Sequence, residues 1–219
     1  MAVIHHTTLT PTKLELLSAW LPGQPWFRDA GRAPDLARMG GFRLDDPSGA
    51  VGLEFMVVTD AATGTSYHVP LTYRGSELPS AGNGLIGTSQ HGVLGRRWVY
   101  DGAYDPVLVA QLVALIQGAA EPQAQSESNT PDPTVTTGPP AVAAAPVTES
   151  AVVASTAVGT ELQLADGLTV WINRILRAGE EHRGPGVSAT WKLPDGTVSR
   201  GVFATAQHNP TTEPPPSMR

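Results

Sequence analysis

The sequence predicts an α+β protein: antiparallel strands between an N-terminal and a C-terminal helix, then a long linker and a small β segment. Three observations predict it. Residues 41–44 and 67–74 alternate apolar and polar side chains at a two-residue period, the second as a half-buried strand does, and a strongly strand-like run, Val51 to Thr59, lies between them, set off by turn clusters. Residues 105–118 read Asp-Pro, a nearly unbroken apolar run and a closing Gly, the punctuation of a buried helix. Residues 119–158 carry six prolines among Ala, Thr, Ser and Val, with no aromatic residue and no Lys or Arg.

The elements follow in order. Thr10 as N-cap and Pro11 at the first helical position predict a helix over 10–21. Its stripe is Leu14, Leu17 and Leu21, widened by Leu16 and Trp20, and Pro22 stops it. Trp26-Phe27 fold back irregularly onto the core. Gly41 to Leu44, Val51 to Thr59 and Tyr67 to Arg74 read as a β-meander, with Pro70 marking an edge or a bulge. Leu85-Ile86 and Gly92 to Tyr100 supply two more strands. Asp105-Pro106 starts the second helix and Gly118 ends it. Beyond the linker, Leu168 to Leu176 is a strand, and Pro194-Asp195-Gly196 joins two others into a hairpin. Three strands make a thin core, so they dock on the first domain or pair with another chain. The expected division is 1–118, an α+β domain; 119–158, a disordered linker; 159–207, a three-stranded β segment; and 208–219, a disordered tail.

Composition removes several functions. A chain of 219 residues with a formal net charge of −6 is poorly suited to nucleic acid, which calls for clustered Lys and Arg. Without cysteine there is no disulfide, thiolate nucleophile or thiolate metal site. No basic, then apolar, leader and no 18-residue apolar window appear, so no membrane association and a cytoplasmic location are expected.

Candidate chemistry is sparse. His5-His6 lack a third ligand nearby. His68, His91 and His182 are isolated, and a general base needs a positioned partner, so structural roles are favoured. Ser89 and Ser188 sit outside any G-x-S-x-G context. The glycines at 82, 84 and 87, and Gly184-Pro185-Gly186, lack the Lys of a phosphate loop and read as turns. Phosphoryl transfer needs an Asp base, a metal-binding Asp and a phosphate-pairing Lys. There are two lysines, Lys13 and Lys192, and Asp101 and Asp105 sit where a turn and a helix cap explain them. No catalytic, cofactor or metal residue is assigned. Trp26, Tyr73, Arg97, Trp98 and Tyr100 are the candidates for contact with a partner or a glucan, against a core-packing reading for the aromatic rings and a solvated edge for Arg96-Arg97.

Several segments together resemble the N-terminal cap domain of bacterial maltokinases. They are Trp20-Leu21-Pro22 with Trp26-Phe27, Tyr67 to Tyr73, Ile86-Gly87-Thr88, and Val99 to Pro106 (VYDGAYDP). The likeness extends over residues 10–118, and is closer to small stand-alone cap proteins, often named 1,4-α-glucan branching proteins although far smaller than a branching enzyme. It implies a curved, cystatin-like antiparallel sheet with a helix, normally placed before two kinase lobes. Leu168 to Gly179 faintly resembles the lysine-bearing strand of the lobe that follows, but Asn173 and Arg174 stand there without a lysine. The resemblance therefore implies a non-catalytic accessory or regulatory protein of trehalose, maltose and α-glucan metabolism. Its partner would be an enzyme of that metabolism. The alternatives are a divergent ATP-dependent maltose kinase and a small glucan-binding module.

Overall fold

The computed structural model describes residues 9–29, 31–127, 129–140 and 151–208. The His5-His6 pair, eleven residues of the linker and all but His208 of the tail lie outside the described residues.

β1 (Leu9–Thr10) is a short edge strand paired with β5 (Leu85–His91). The first helix, α1 (Lys13–Trp20), begins later than the Thr10-Pro11 signal predicts. Thr12 caps it instead. The Glu15 backbone N–H donates to the Thr12 hydroxyl at 3.2 Å, and the Thr12 N–H donates to the Glu15 carboxylate at 2.7 Å. This reciprocal box satisfies two otherwise orphaned donors, which a proline two residues earlier cannot do.

β2 (Leu36–Leu44), β3 (Gly52–Asp60), β4 (Thr65–Arg74) and β6 (Gly95–Asp101) join β5 and β1 in the antiparallel order β1-β5-β6-β4-β3-β2. β2 starts five residues before the predicted Gly41. A bulge there, between Arg38 and Gly40, interrupts the alternation that sequence reading depends on. α2 (Pro106–Ile116) has the predicted Asp105 cap, and Gly118 follows it at φ +75°.

The linker departs from the free-chain expectation. β7 (Gln123–Ala124) pairs with β2, β8 (Thr136–Thr137) with β12 (Gly186–Lys192), and β9 (Val152–Ser155) with β10 (Gly159–Gln163). Val135 is buried, and Arg200 donates to the Thr134 carbonyl at 2.7 Å and to the Thr136 hydroxyl. Proline-rich chain lacks its own core, but here sheet edges supply the partners its backbone needs. The C-terminal segment has four main strands rather than three, β11 (Leu168–Asn173) and β13 (Val198–His208) completing it.

That segment docks on the first sheet. β12 meets β2 at Trp191 opposite Gly40, giving the continuous order β2-β12-β13-β11-β10-β9. At the other side the chain leaving β11 returns to β4. Ile175 bridges to Tyr67, the His68 N–H donates to the Arg174 carbonyl at 2.9 Å, and the Leu176 N–H to the Ser66 carbonyl at 2.9 Å. The strands β4, β3, β2, β12, β13 and β11 therefore close into a barrel, which removes their free edges.

Pro70 lies inside β4, neither on an edge strand nor at a bulge. Ser66 and His68 present their backbone groups to the 174–176 segment, so Pro70, two further on, faces the same side. There β4 changes partner, from 174–176 to the Asp101 end of β6. The proline falls where a missing donor costs nothing.

The barrel interior holds Phe42, Phe55, Phe203 and Trp191, with α2 packing Leu108, Leu112 and Ile116 into the same cluster. Phe42 and Phe55 are cross-strand partners stacked at 4.5 Å. A second cluster covers the outside of β3 and β4. Leu17 and Leu21 from the α1 region, with Trp26 and Phe27, lie over Met56, Val58, Tyr67, Val69 and Leu71. β4 is thus buried on both faces, not half-buried as its alternation predicts.

Candidate functional site

The strongest concentration of buried polar chemistry lies where β6 and β10 branch away from the barrel. Arg174, just past β11, is fully buried. Its Nη2 donates to both oxygens of Asp101, at 2.9 and 2.7 Å, and its Nε to the Thr160 hydroxyl at 2.8 Å. The guanidinium lies 5.1 Å from the centre of the Trp26 ring. Asp101 ends β6 and also accepts from the Ala103 N–H at 3.1 Å, which forms the turn before α2. Four residues on, Asp105 takes a two-pronged grip from Arg74, with Nε and Nη2 each 2.7 Å from a carboxylate oxygen. Asp105 also accepts from the Val107 N–H at 3.0 Å. The two aspartates of the VYDGAYDP motif are occupied by arginines and helix caps, which suits them to holding the fold.

His68 projects into the barrel between Phe203, at 4.5 Å, and Phe55, at 6.0 Å. Its Nδ1 lies 3.1 Å from the Asn173 carbonyl, so Nδ1 carries the proton and donates. Burial, aided by the nearby Arg174 charge, lowers its pKa to about 3. The ring is neutral and enclosed, as a structural histidine is.

A second cluster sits on the outer face of β3. The Glu54 carboxylate, 3 % exposed, accepts from Lys13 Nζ at 2.6 Å, from the Tyr73 hydroxyl at 2.5 Å and from Gln125 Nε2 at 2.8 Å. Burial alone would raise the Glu54 pKa, but the Lys13 charge and these hydrogen bonds together bring it below the usual value. Burial and the adjoining Glu54 charge push the Tyr73 phenol well above its usual value. This cluster ties α1, β3, β4 and the start of the linker together.

The structure does not bring the five predicted contact residues onto one surface. Trp26 and Tyr100 are each 1 % exposed, so neither ring can meet a glucan. The Tyr100 hydroxyl instead accepts from the Leu78 N–H at 2.8 Å. Their burial follows from β6 and the Trp26 loop each being covered by neighbouring elements. Tyr73 is engaged with Glu54. Arg97 donates to the Leu94 carbonyl at 2.8 Å, and Trp98 is half-buried with Arg96 5.9 Å from its ring centre. Strand alternation sends Arg97 to the face of Val99 and Trp98 to the opposite face. Ser89 donates to the Pro11 carbonyl at 2.7 Å. Among the described residues no three His, Asp or Glu side chains converge as a metal would require.

Sequence reasoning missed Arg174 and Glu54. For Arg174 a signal exists. Leu168, Val170, Ile172 and Leu176 occupy alternate positions, and Arg174 falls in the same phase. An arginine in an apolar phase calls for a buried carboxylate.

No helix is long and apolar enough to cross a membrane among the described residues. No curated protein matches the chain. Residues 20–105 match the family model described as the maltokinase N-terminal cap domain. The match spans β2 to β6 and both motif aspartates, and leaves Arg174 and the C-terminal strands outside it. Over residues 20–105 the chain is therefore similar to the maltokinase N-terminal cap domain.

Proposed function

We propose that the chain is a non-catalytic accessory protein that uses its cap-like domain, cystatin-like in its sheet and helix, for protein contacts in trehalose, maltose and α-glucan metabolism. The partner is an enzyme of that metabolism and the setting is the cytoplasm. One observation carries the reading: the polypeptide after the cap completes the cap's own barrel. The stretch that resembles a kinase's lysine-bearing strand, β11 and its extension, supplies Arg174 to a cap aspartate rather than a lysine to a nucleotide. The aspartates a phosphoryl-transfer site would need are held by Arg174 and Arg74.

Affinity capture with the intact protein from a native lysate is the test. Enrichment of maltosyl-transferring or trehalose-converting enzymes supports the reading, and capture free of all of them refutes it. The divergent-kinase alternative predicts heat on titrating ATP with Mg²⁺ into the protein, and maltose-dependent ATP consumption would replace the accessory reading.

A further inference from the structure

Closure of the barrel creates a cleft of about 430 Å³ that neither half of the chain forms alone. One wall is the turn Gly64-Thr65-Ser66 that opens β4. The other is the 175–178 segment, and Trp191 and Leu193 of the β12 end complete the lining. Arg28 and Arg177 both line it, and no Asp or Glu does.

The two arginines are anchored to consecutive residues of β4. The Arg28 N–H donates to the Tyr67 hydroxyl at 3.1 Å. Arg177 follows Leu176, whose N–H is fixed on the Ser66 carbonyl at 2.9 Å. Both side chains are exposed, and among the described residues neither guanidinium is paired with a carboxylate. Arg32, Arg74 and Arg174 are so paired, in a chain whose formal net charge is −6. The Trp191 side chain is 2 % exposed and its indole N–H has no hydrogen-bond partner. A buried donor without a partner is uncommon and costs free energy. Two guanidiniums that line one cleft without a carboxylate partner among the described residues suit a small, doubly charged oxyanion, because guanidinium forks match phosphate oxygens in pairs. The volume exceeds that of a bare phosphate and lies in the range of small-ligand sites.

We propose that this cleft binds a small phosphate monoester, with Arg28 and Arg177 gripping the phosphate and the Trp191–Leu193 side receiving the organic body. The proposal is independent of the accessory role: the cleft can be occupied or empty whichever partner the protein has.

The test is calorimetric titration of the intact protein with a hexose monophosphate, with inorganic phosphate and with the unphosphorylated hexose, at matched ionic strength. Saturable binding of the hexose monophosphate, weaker binding of inorganic phosphate and none of the plain hexose are expected. Arg28→Gln and Arg177→Gln should each weaken binding by about tenfold or more, as loss of a charged phosphate contact does. Arg96→Gln, remote from the cleft, should leave it unchanged. In NMR spectra of the unaltered protein the ligand should shift the Trp191 indole resonance, assigned with Trp191→Phe, and not that of Trp98. The proposal is overturned by absence of saturable heat at millimolar ligand, by equal weakening in Arg96→Gln, or by a Trp191 resonance that stays in place.

Discussion

Arg174 and Asp101 stand 73 residues apart in the chain and meet as an enclosed ion pair at 2.7 Å, with 0 % and 2 % of their side chains exposed. The pair joins the cap-like domain to the C-terminal strands. Removing one partner strands the other charge in a low-dielectric site. Arg174→Met is expected to lower unfolding free energy by about 3–5 kcal/mol. Adding Asp101→Asn should recover part of that loss, because the double variant leaves no bare charge. Urea midpoints of Arg174→Met, of Asp101→Asn alone and of the double variant check this through the coupling energy.

His68 predicts a pH dependence. Its folded pKa, about 3, lies below the ordinary 6.5, so the unfolded chain binds a proton that the folded chain refuses. Stability from this group is fully present above pH 6.5 and is lost as pH falls from there towards 3. The slope reaches about 1.4 kcal/mol per pH unit for one proton. Glu54, whose folded pKa is depressed, loses its own contribution only at lower pH, as the carboxylate protonates. Denaturation midpoints taken between about pH 6.5 and 5 isolate the histidine, since unperturbed carboxylates titrate below that window. His68→Gln should flatten the dependence there.

The phenol of Tyr73 reports on Glu54. Burial and the carboxylate both oppose its ionisation. In Glu54→Gln the second cause is gone, so one tyrosine should ionise at lower pH than in the parent. Ultraviolet absorbance during alkaline titration measures the shift. An unchanged titration curve would place the Tyr73 effect in burial alone. The same variant should be destabilised by about 1–3 kcal/mol, the cost of unpairing buried polar groups.

Gly41 tolerates no side chain. It sits at φ +127°, and a Cβ there would collide with the Phe55 carbonyl oxygen across the β2–β3 ladder. Gly41→Ala is expected to cost about 3 kcal/mol or more through backbone displacement and strain. Soluble yield and thermal midpoint would show it. Thr12→Ala, which loses only the α1 cap, should cost about 1 kcal/mol.

What could be read from the sequence follows the range over which each interaction acts. The hairpin from Val51 to Arg74 and the helix from Pro106 to Ile116 are specified by neighbouring residues: alternation, a Gly-containing turn, an Asp cap and a closing Gly. The pairing of Gln123–Ala124 with β2 leaves almost no trace, because two-residue strands have no period. Gly159–Gln163 lacks the β-branched enrichment that marks its neighbour Leu168–Asn173. The Arg28–Arg177 cleft is invisible in one dimension, since its walls come from stretches that only barrel closure brings together. Trp26 and Tyr100 show the converse limit. An aromatic ring looks the same in sequence whether a helix covers it or water does.

The closing contact has a consequence for how the protein is made. His68 waits for Asn173, 105 residues later, before its Nδ1 finds an oxygen. During synthesis the cap-like domain leaves the ribosome with half of one β4 edge unpaired, and it stays so until residues 174–176 emerge. Contacts of such long sequence separation slow folding and leave an adhesive edge exposed meanwhile. The boundary of the family match at residue 105 is therefore not a boundary of foldability. A polypeptide cut there would retain the hairpins that the family match covers, and would lose the strand segment that shields them from one another's copies.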